Sequence, residues 1–97
     1  MNKFGLSEEV LAFIVDTARE LDVSKVVLFG SRAKATYSDK SDIDLAVSGS
    51  HVQEFIYILE EHCPTLLSFD FVDMGKSMSE ELANRIDKEG EVLYEVR

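Results

Sequence analysis

Val26-Val27-Leu28-Phe29-Gly30-Ser31-Arg32-Ala33, followed by Ser41-Asp42-Ile43-Asp44-Leu45-Ala46-Val47, is the stretch from which the rest of the chain can be read. Four apolar residues ending in a glycine read as a strand covered on both faces. Gly30 lets the chain turn and lets an anion approach the backbone amides. If Ser31-Arg32-Ala33 opens a short helical turn, its N–H groups point at that anion, and the Ser31 hydroxyl and Arg32 guanidinium add donors. A bare Gly-Ser is more often an ordinary strand-to-loop turn, and neither the G-x-x-x-x-G-K-S/T nor the G-x-G-x-x-G phosphate pattern is present. The second strand, Ile43 to Val47, brings Asp42 and Asp44 at a spacing of two, which aims both carboxylates to one side. Their Cα atoms would lie roughly 6–7 Å apart, close enough to share a divalent cation. Two like charges ~4 Å apart repel by about 1 kcal/mol in water and ~4 kcal/mol at a protein surface, so a cation belongs with them. Oxygen ligands suit Mg²⁺ or Mn²⁺ better than zinc. A calcium loop starting at Asp42 fails, because Ala46 falls on a ligand position and the glycine and terminal glutamate are missing.

Working outward, Ser7 caps a first helix with Glu8 and Glu9 in its first turn, and Val10, Ile14, Ala18 and Leu21 form its buried stripe. A second helix is expected from Val52 to Glu61, with Phe55, Ile56 and Leu59 facing inward and Pro64 ending it. Ser68 to Val72 reads as a third strand. Ser79 caps a helix carrying Leu82, Ala83 and Ile86, with Gly90 just beyond its end. Val92, Tyr94 and Val96 alternate with Leu93 and Glu95 in a last strand. The pattern predicts an α/β or α+β fold: a mixed sheet of about four strands with flanking helices, in a single domain spanning residues 1–97.

If the first two strands are antiparallel neighbours, the Gly30 corner lies beside Asp42 and Asp44. A metal on the aspartates could then bridge a phosphate held at Ser31, the layout of phosphoryl or nucleotidyl transfer. Asp70 is the candidate third carboxylate. Phe69 and Phe71 point into the core, so Asp70 emerges on the opposite face, where an acid is costly unless paired or metal-bound; a solvated edge strand is the plainer explanation. Asp73, three residues on, falls on the other face and reads as a strand-end residue.

Composition bounds the function. The 97 residues are 45% hydrophobic, with a net charge of −9. That charge repels phosphate polymers and speaks against general nucleic-acid binding. Lys25 to Lys40 is nevertheless +3, leaving −12 on the rest, and a local basic patch suits a small polyphosphate. No apolar run approaches the ~20 residues that span a bilayer, and the single cysteine, Cys63, fits a reducing compartment; a cytoplasmic location is expected. His51, His62 and Cys63 have poor spacing for zinc. Met74 and Met78 read as packing residues. Tyr37, in the loop between the motif halves, could stack on a base.

Gly-Ser-Arg-Ala, then Ser-Asp-Ile-Asp-Leu, then Phe-Asp-Phe-Val-Asp resembles the signature of the DNA polymerase β-like nucleotidyltransferase superfamily, and more narrowly the minimal nucleotidyltransferases of bacteria and archaea. The resemblance runs from about Leu6 to Val96. It implies a mixed sheet with an active site at one end, Gly30 and Ser31 on the nucleotide's β- and γ-phosphates, and Arg32 as a triphosphate contact. It further implies Asp42 and Asp44 on two Mg²⁺ ions (or Mn²⁺), and Asp70 as the third metal-site acid that helps activate the attacking hydroxyl. Ala35 stands where the family pattern carries glycine, and its Cβ restricts the backbone if a positive φ is needed there. The resemblance further implies an all-helical HEPN-type protein often encoded alongside: in some such pairs the nucleotidyltransferase is an antitoxin that transfers AMP to a helical toxin, in others the helical subunit is a substrate-binding component. The implied partners are therefore ATP or another nucleoside triphosphate and a helical protein, in a homodimer or hetero-oligomer. Two further readings stand beside the enzyme: an antitoxin acting by contact alone, and a regulatory fold with a decayed site, against which the intact Asp42, Asp44 and Asp70 argue.

Overall fold

A computed structural model of the chain describes residues 3–96. Eight elements alternate: α1 (Glu8–Glu20), β1 (Val23–Phe29), α2 (Gly30–Ala33), β2 (Ile43–Gly49), α3 (Val52–His62), β3 (Phe69–Asp73), α4 (Glu80–Glu89) and β4 (Glu91–Glu95). The four strands form one sheet in the order β3-β2-β1-β4. β1 runs antiparallel to β2 and β4, and β2 runs parallel to β3. The mixed four-stranded sheet with flanking helices is the expected one. The expected short helical turn is present as α2, and β1 starts three residues earlier than the apolar run alone implies.

β1 is central, which is why Val26-Val27-Leu28-Phe29 is apolar on both sides and buried throughout. One sheet face carries Val26, Leu28, Ile43, Leu45 and Val47 and packs against α1 and α3. The other carries Val27, Phe29 and Ala46 and packs against Ile86 of α4, with Val72, Met74, Met78 and Leu82 at its border. The two methionines are packing residues, as expected.

Local chemistry explains the helix ends. Ser7 Oγ accepts from the Val10 N–H at 3.1 Å, and Ser79 Oγ accepts from the Leu82 N–H at 3.1 Å. α1 buries Val10, Ile14, Thr17 and Ala18; Leu21 is its C-cap and half-buried, while Thr17, not anticipated, lies on the buried stripe. α3 buries Val52, Phe55 and Leu59, with Ile56 half-buried. Gly90 follows α4 with an ordinary φ of −69°, so it is not a left-handed cap. Space explains it instead: a Cβ there would collide with the Ile86 carbonyl and Val27. The alternation expected in β4 is broken by an irregularity opposite Val26 and Val27, which leaves Leu93 and Tyr94 both against the larger core and Val92 exposed. Among the described residues, no helix is long and apolar enough to cross a membrane.

Candidate active site

The sheet register builds the site. Phe29 pairs with Asp44 across β1 and β2, and Asp44 pairs with Asp70 across β2 and β3. Cross-strand partners share a face, so Asp44 and Asp70 stand side by side on the face that carries Phe29 and Ala46. Gly30 follows Phe29 directly with φ +76°, and a Cβ on it would run into Asp44 Oδ2. The glycine corner therefore both makes the turn and leaves the Asp44 carboxylate its place. Gly30, Ser31, Asp44 and Asp70 thus lie at one end of the sheet. Asp42 sits just before β2, exposed, and not on the strand itself.

Electrostatics ties the three acids together. Burial raises the Asp44 carboxyl above its ordinary 3.8, and the charges of Asp70 and then Asp42 raise it further; Arg85 opposes them. Three carboxylates crowded at one sheet end supply hard oxygen donors and a negative field, a chemistry that fits divalent magnesium or manganese. Among the described residues, no group of three or more histidine, cysteine, aspartate or glutamate side chains is placed so as to hold a metal ion, so the three acids share one sheet end without being drawn together into a ligand set. Asp70 is exposed on the edge strand, with Phe69 and Phe71 turned to the larger core and stacked at 5.3 Å. Asp73 Oδ1 accepts from the Gly75 N–H at 2.9 Å, the strand-end role expected of it.

Arg32 requires a correction. Its side chain is buried, at 1% exposure, and does not face the glycine corner. Nε donates to the Ser41 carbonyl at 3.1 Å, Nη1 to the carbonyls of Phe4 at 2.9 Å and Gly5 at 3.3 Å, and Nη2 to that of Asp39 at 3.4 Å. Four of its five N–H donors are spent on carbonyls and the side chain is walled in, so it presents no face to a triphosphate. It pins the N-terminal segment to the loop that delivers Asp42. Tyr37 is drawn in as well, its ring centroid 4.9 Å from the Arg32 guanidinium carbon, so it is not free to stack on a base.

Ala35 has φ +60°, the left-handed conformation for which a glycine would serve best. His51 bonds the Leu21 carbonyl through Nδ1 at 2.9 Å, and the Cys63 thiol is pushed up to about 11, mainly by burial.

Arg85 is a further residue of the site, with no distinguishing motif around it in the sequence. It lies on α4 with its guanidinium carbon 5.8 Å from the Phe29 ring centroid, and its charge reaches Asp44. Glu89 connects it to α2: Lys34 Nζ is 3.1 Å from Glu89 Oε2, and Arg85 Nε is 3.5 Å from Glu89 Oε1. The hydrogen bond from Lys34 holds the Glu89 carboxyl below its usual range. The i, i+4 spacing of Arg85 and Glu89 was the only signal in the sequence, and it reads as an ordinary helix-surface pair.

Residues 13–97 match the family described as Polymerase beta, Nucleotidyltransferase. A Methanocaldococcus jannaschii protein named as a protein adenylyltransferase is 33% identical over 81 residues, covering 74% of this chain and 79% of that one. A crystal structure of a mutant of the toxin–antitoxin MntA–HpeT superposes with a TM-score of 0.64 at 21% identity, over 90% of this chain and 74% of that one. A toxin–antitoxin crystallised with AMP-PNP gives 0.64 at 22% identity, over 94% and 76%. The chain belongs to the polymerase β-like nucleotidyltransferase family, and it is a nucleotidyltransferase.

Proposed function

We propose that this chain transfers AMP from ATP to a hydroxyl of a protein acceptor, as a single catalytic domain working in the cytoplasm. The carrying observation is the row Phe29–Asp44–Asp70 across three strands, which aligns the glycine corner with two acids on one face. The relative named as a protein adenylyltransferase supports AMP as the group and protein as the acceptor class.

Gly30 and Ser31 would take the β- and γ-phosphates through backbone amides and the Ser31 hydroxyl. The acceptor oxygen attacks the α-phosphorus, the bond from that phosphorus to the bridging oxygen breaks, and pyrophosphate leaves. Asp70, at the exposed edge, would take the proton of the attacking hydroxyl. Asp42, Asp44 and Asp70 would hold two Mg²⁺ ions, which supply charge neutralisation for the phosphates when bound. Arg32 acts on the site indirectly, by fixing Ser41 next to Asp42.

The acceptor we favour is an all-helical HEPN-type partner. The test is mass spectrometry of such a co-purified partner after incubation with ATP and Mg²⁺. A gain of one AMP, abolished by Asp42→Asn with Asp44→Asn, is the expected result. An unmodified partner that is still neutralised by the double variant would overturn catalysis in favour of an antitoxin acting by contact.

A further inference from the structure

Arg32 being occupied elsewhere, a triphosphate lying on the glycine corner needs a cation from another element. Two are at hand, and both are only half covered. Lys34 closes α2 and Arg85 lies on α4, with side-chain exposures of 47% and 48%. They share one carboxylate, Glu89, so the trio carries a net positive charge. Lys34 is the more tightly held, at 3.1 Å. Arg85 sits 3.5 Å from Glu89 Oε1, and that buried oxygen has no hydrogen-bond partner, so the contact is an ion pair without a hydrogen bond. The Arg85 guanidinium is itself half exposed, so water can solvate it when it swings away, and Lys34 stays on Glu89 to keep that less exposed carboxylate paired. Its other neighbour is the Phe29 ring, and Phe29 both pairs with Asp44 and precedes Gly30. The guanidinium therefore rests at the rim of the phosphate corner, on the α4 side and within electrostatic reach of Asp44.

We propose that Arg85 is a triphosphate-binding residue, parked on Phe29 and Glu89 until nucleotide arrives and then forked onto the β- and γ-phosphates. This rests on the nucleotidyl-transfer reading above. A guanidinium suits the task because two parallel N–H groups match two phosphate oxygens. Bound there, it would also neutralise the departing pyrophosphate.

The test is calorimetric binding of ATP and of AMP, each with Mg²⁺, to the wild type, Arg85→Ala, Arg85→Lys and the control Lys88→Ala, an exposed cation on the same helix. Arg85→Ala should weaken ATP binding about ten- to thirtyfold, the scale of one lost charge-assisted contact. AMP affinity should stay as in the wild type, Arg85→Lys should recover part of the loss, and Lys88→Ala should bind ATP normally. A residue that merely covers Phe29 would not discriminate ATP from AMP. Equal losses for both nucleotides, no loss for either, or an equal loss in Lys88→Ala would overturn the assignment and leave the transfer reading intact. A wild type that binds no nucleoside triphosphate would overturn both.

Discussion

The two faces of the sheet are built differently. One gathers thirteen buried residues from the N-terminal segment, α1, β1, β2 and α3 into a continuous core. The other gathers only Val27, Phe29, Ala46 and Ile86 under a single helix, and where that cover stops Asp44 and Asp70 emerge. The larger core supplies the rigidity that lets the smaller face hold like charges together. Stability and chemistry are segregated by the alternation of side chains along the same strands.

The sharpest way to break this division is Asp44→Asn. Transfer should fall about a thousandfold, equivalent to ~4 kcal/mol of barrier. Folding stability should rise instead, by up to about 1 kcal/mol, because a half-buried charge beside two others is removed. Denaturant unfolding beside a transfer assay checks both. The pH dependence gives the sign independently. The folded protein holds the Asp44 proton more tightly than the unfolded chain does, so this group favours folding in acid. That contribution is lost as pH rises above 3.8 and through the raised folded value. The stability of the wild type relative to Asp44→Asn should therefore decline across that window; a rise would contradict the crowding of the acids.

Next in size are paired truncations on the two faces. Phe55→Ala, fully buried on the larger side, should cost about 4 kcal/mol, while Ile86→Ala, under the lone helix, should cost about 2 kcal/mol. Equal costs would mean that the smaller face is packed as firmly as the larger. The smallest effect is expected at Ala35. Ala35→Gly relieves a positive φ and should stabilise by about 0.5–1 kcal/mol after the entropy lost from the unfolded chain is counted, readable as a raised Tm.

Much of the site was legible in the sequence because it is built from strands next to each other in chain and in space. An apolar run ended by Gly30, two aspartates two residues apart, and an acid between two phenylalanines give the face of each side chain by period alone. Arg32 was misjudged for a reason local pattern cannot reveal. Its four carbonyl partners lie in the N-terminal segment and in the loop before β2, and only folding brings them round it. The exposed Val92 and the broken alternation of β4 likewise arise from a register irregularity against β1, not from β4's own residues.

The sequence by itself determined the elements, their polarity and the glycine corner, because capping, hydrophobic period and turn chemistry act over a few residues. Which arginine is walled in and which is left at the rim was decided only by tertiary structure. A guanidinium's fate depends on the acceptors within its reach, and for Arg32 these are carbonyls up to twenty-eight positions away along the chain. For Arg85 they are Glu89, one turn on, and the ring of Phe29, with which α4 makes contact across the sheet.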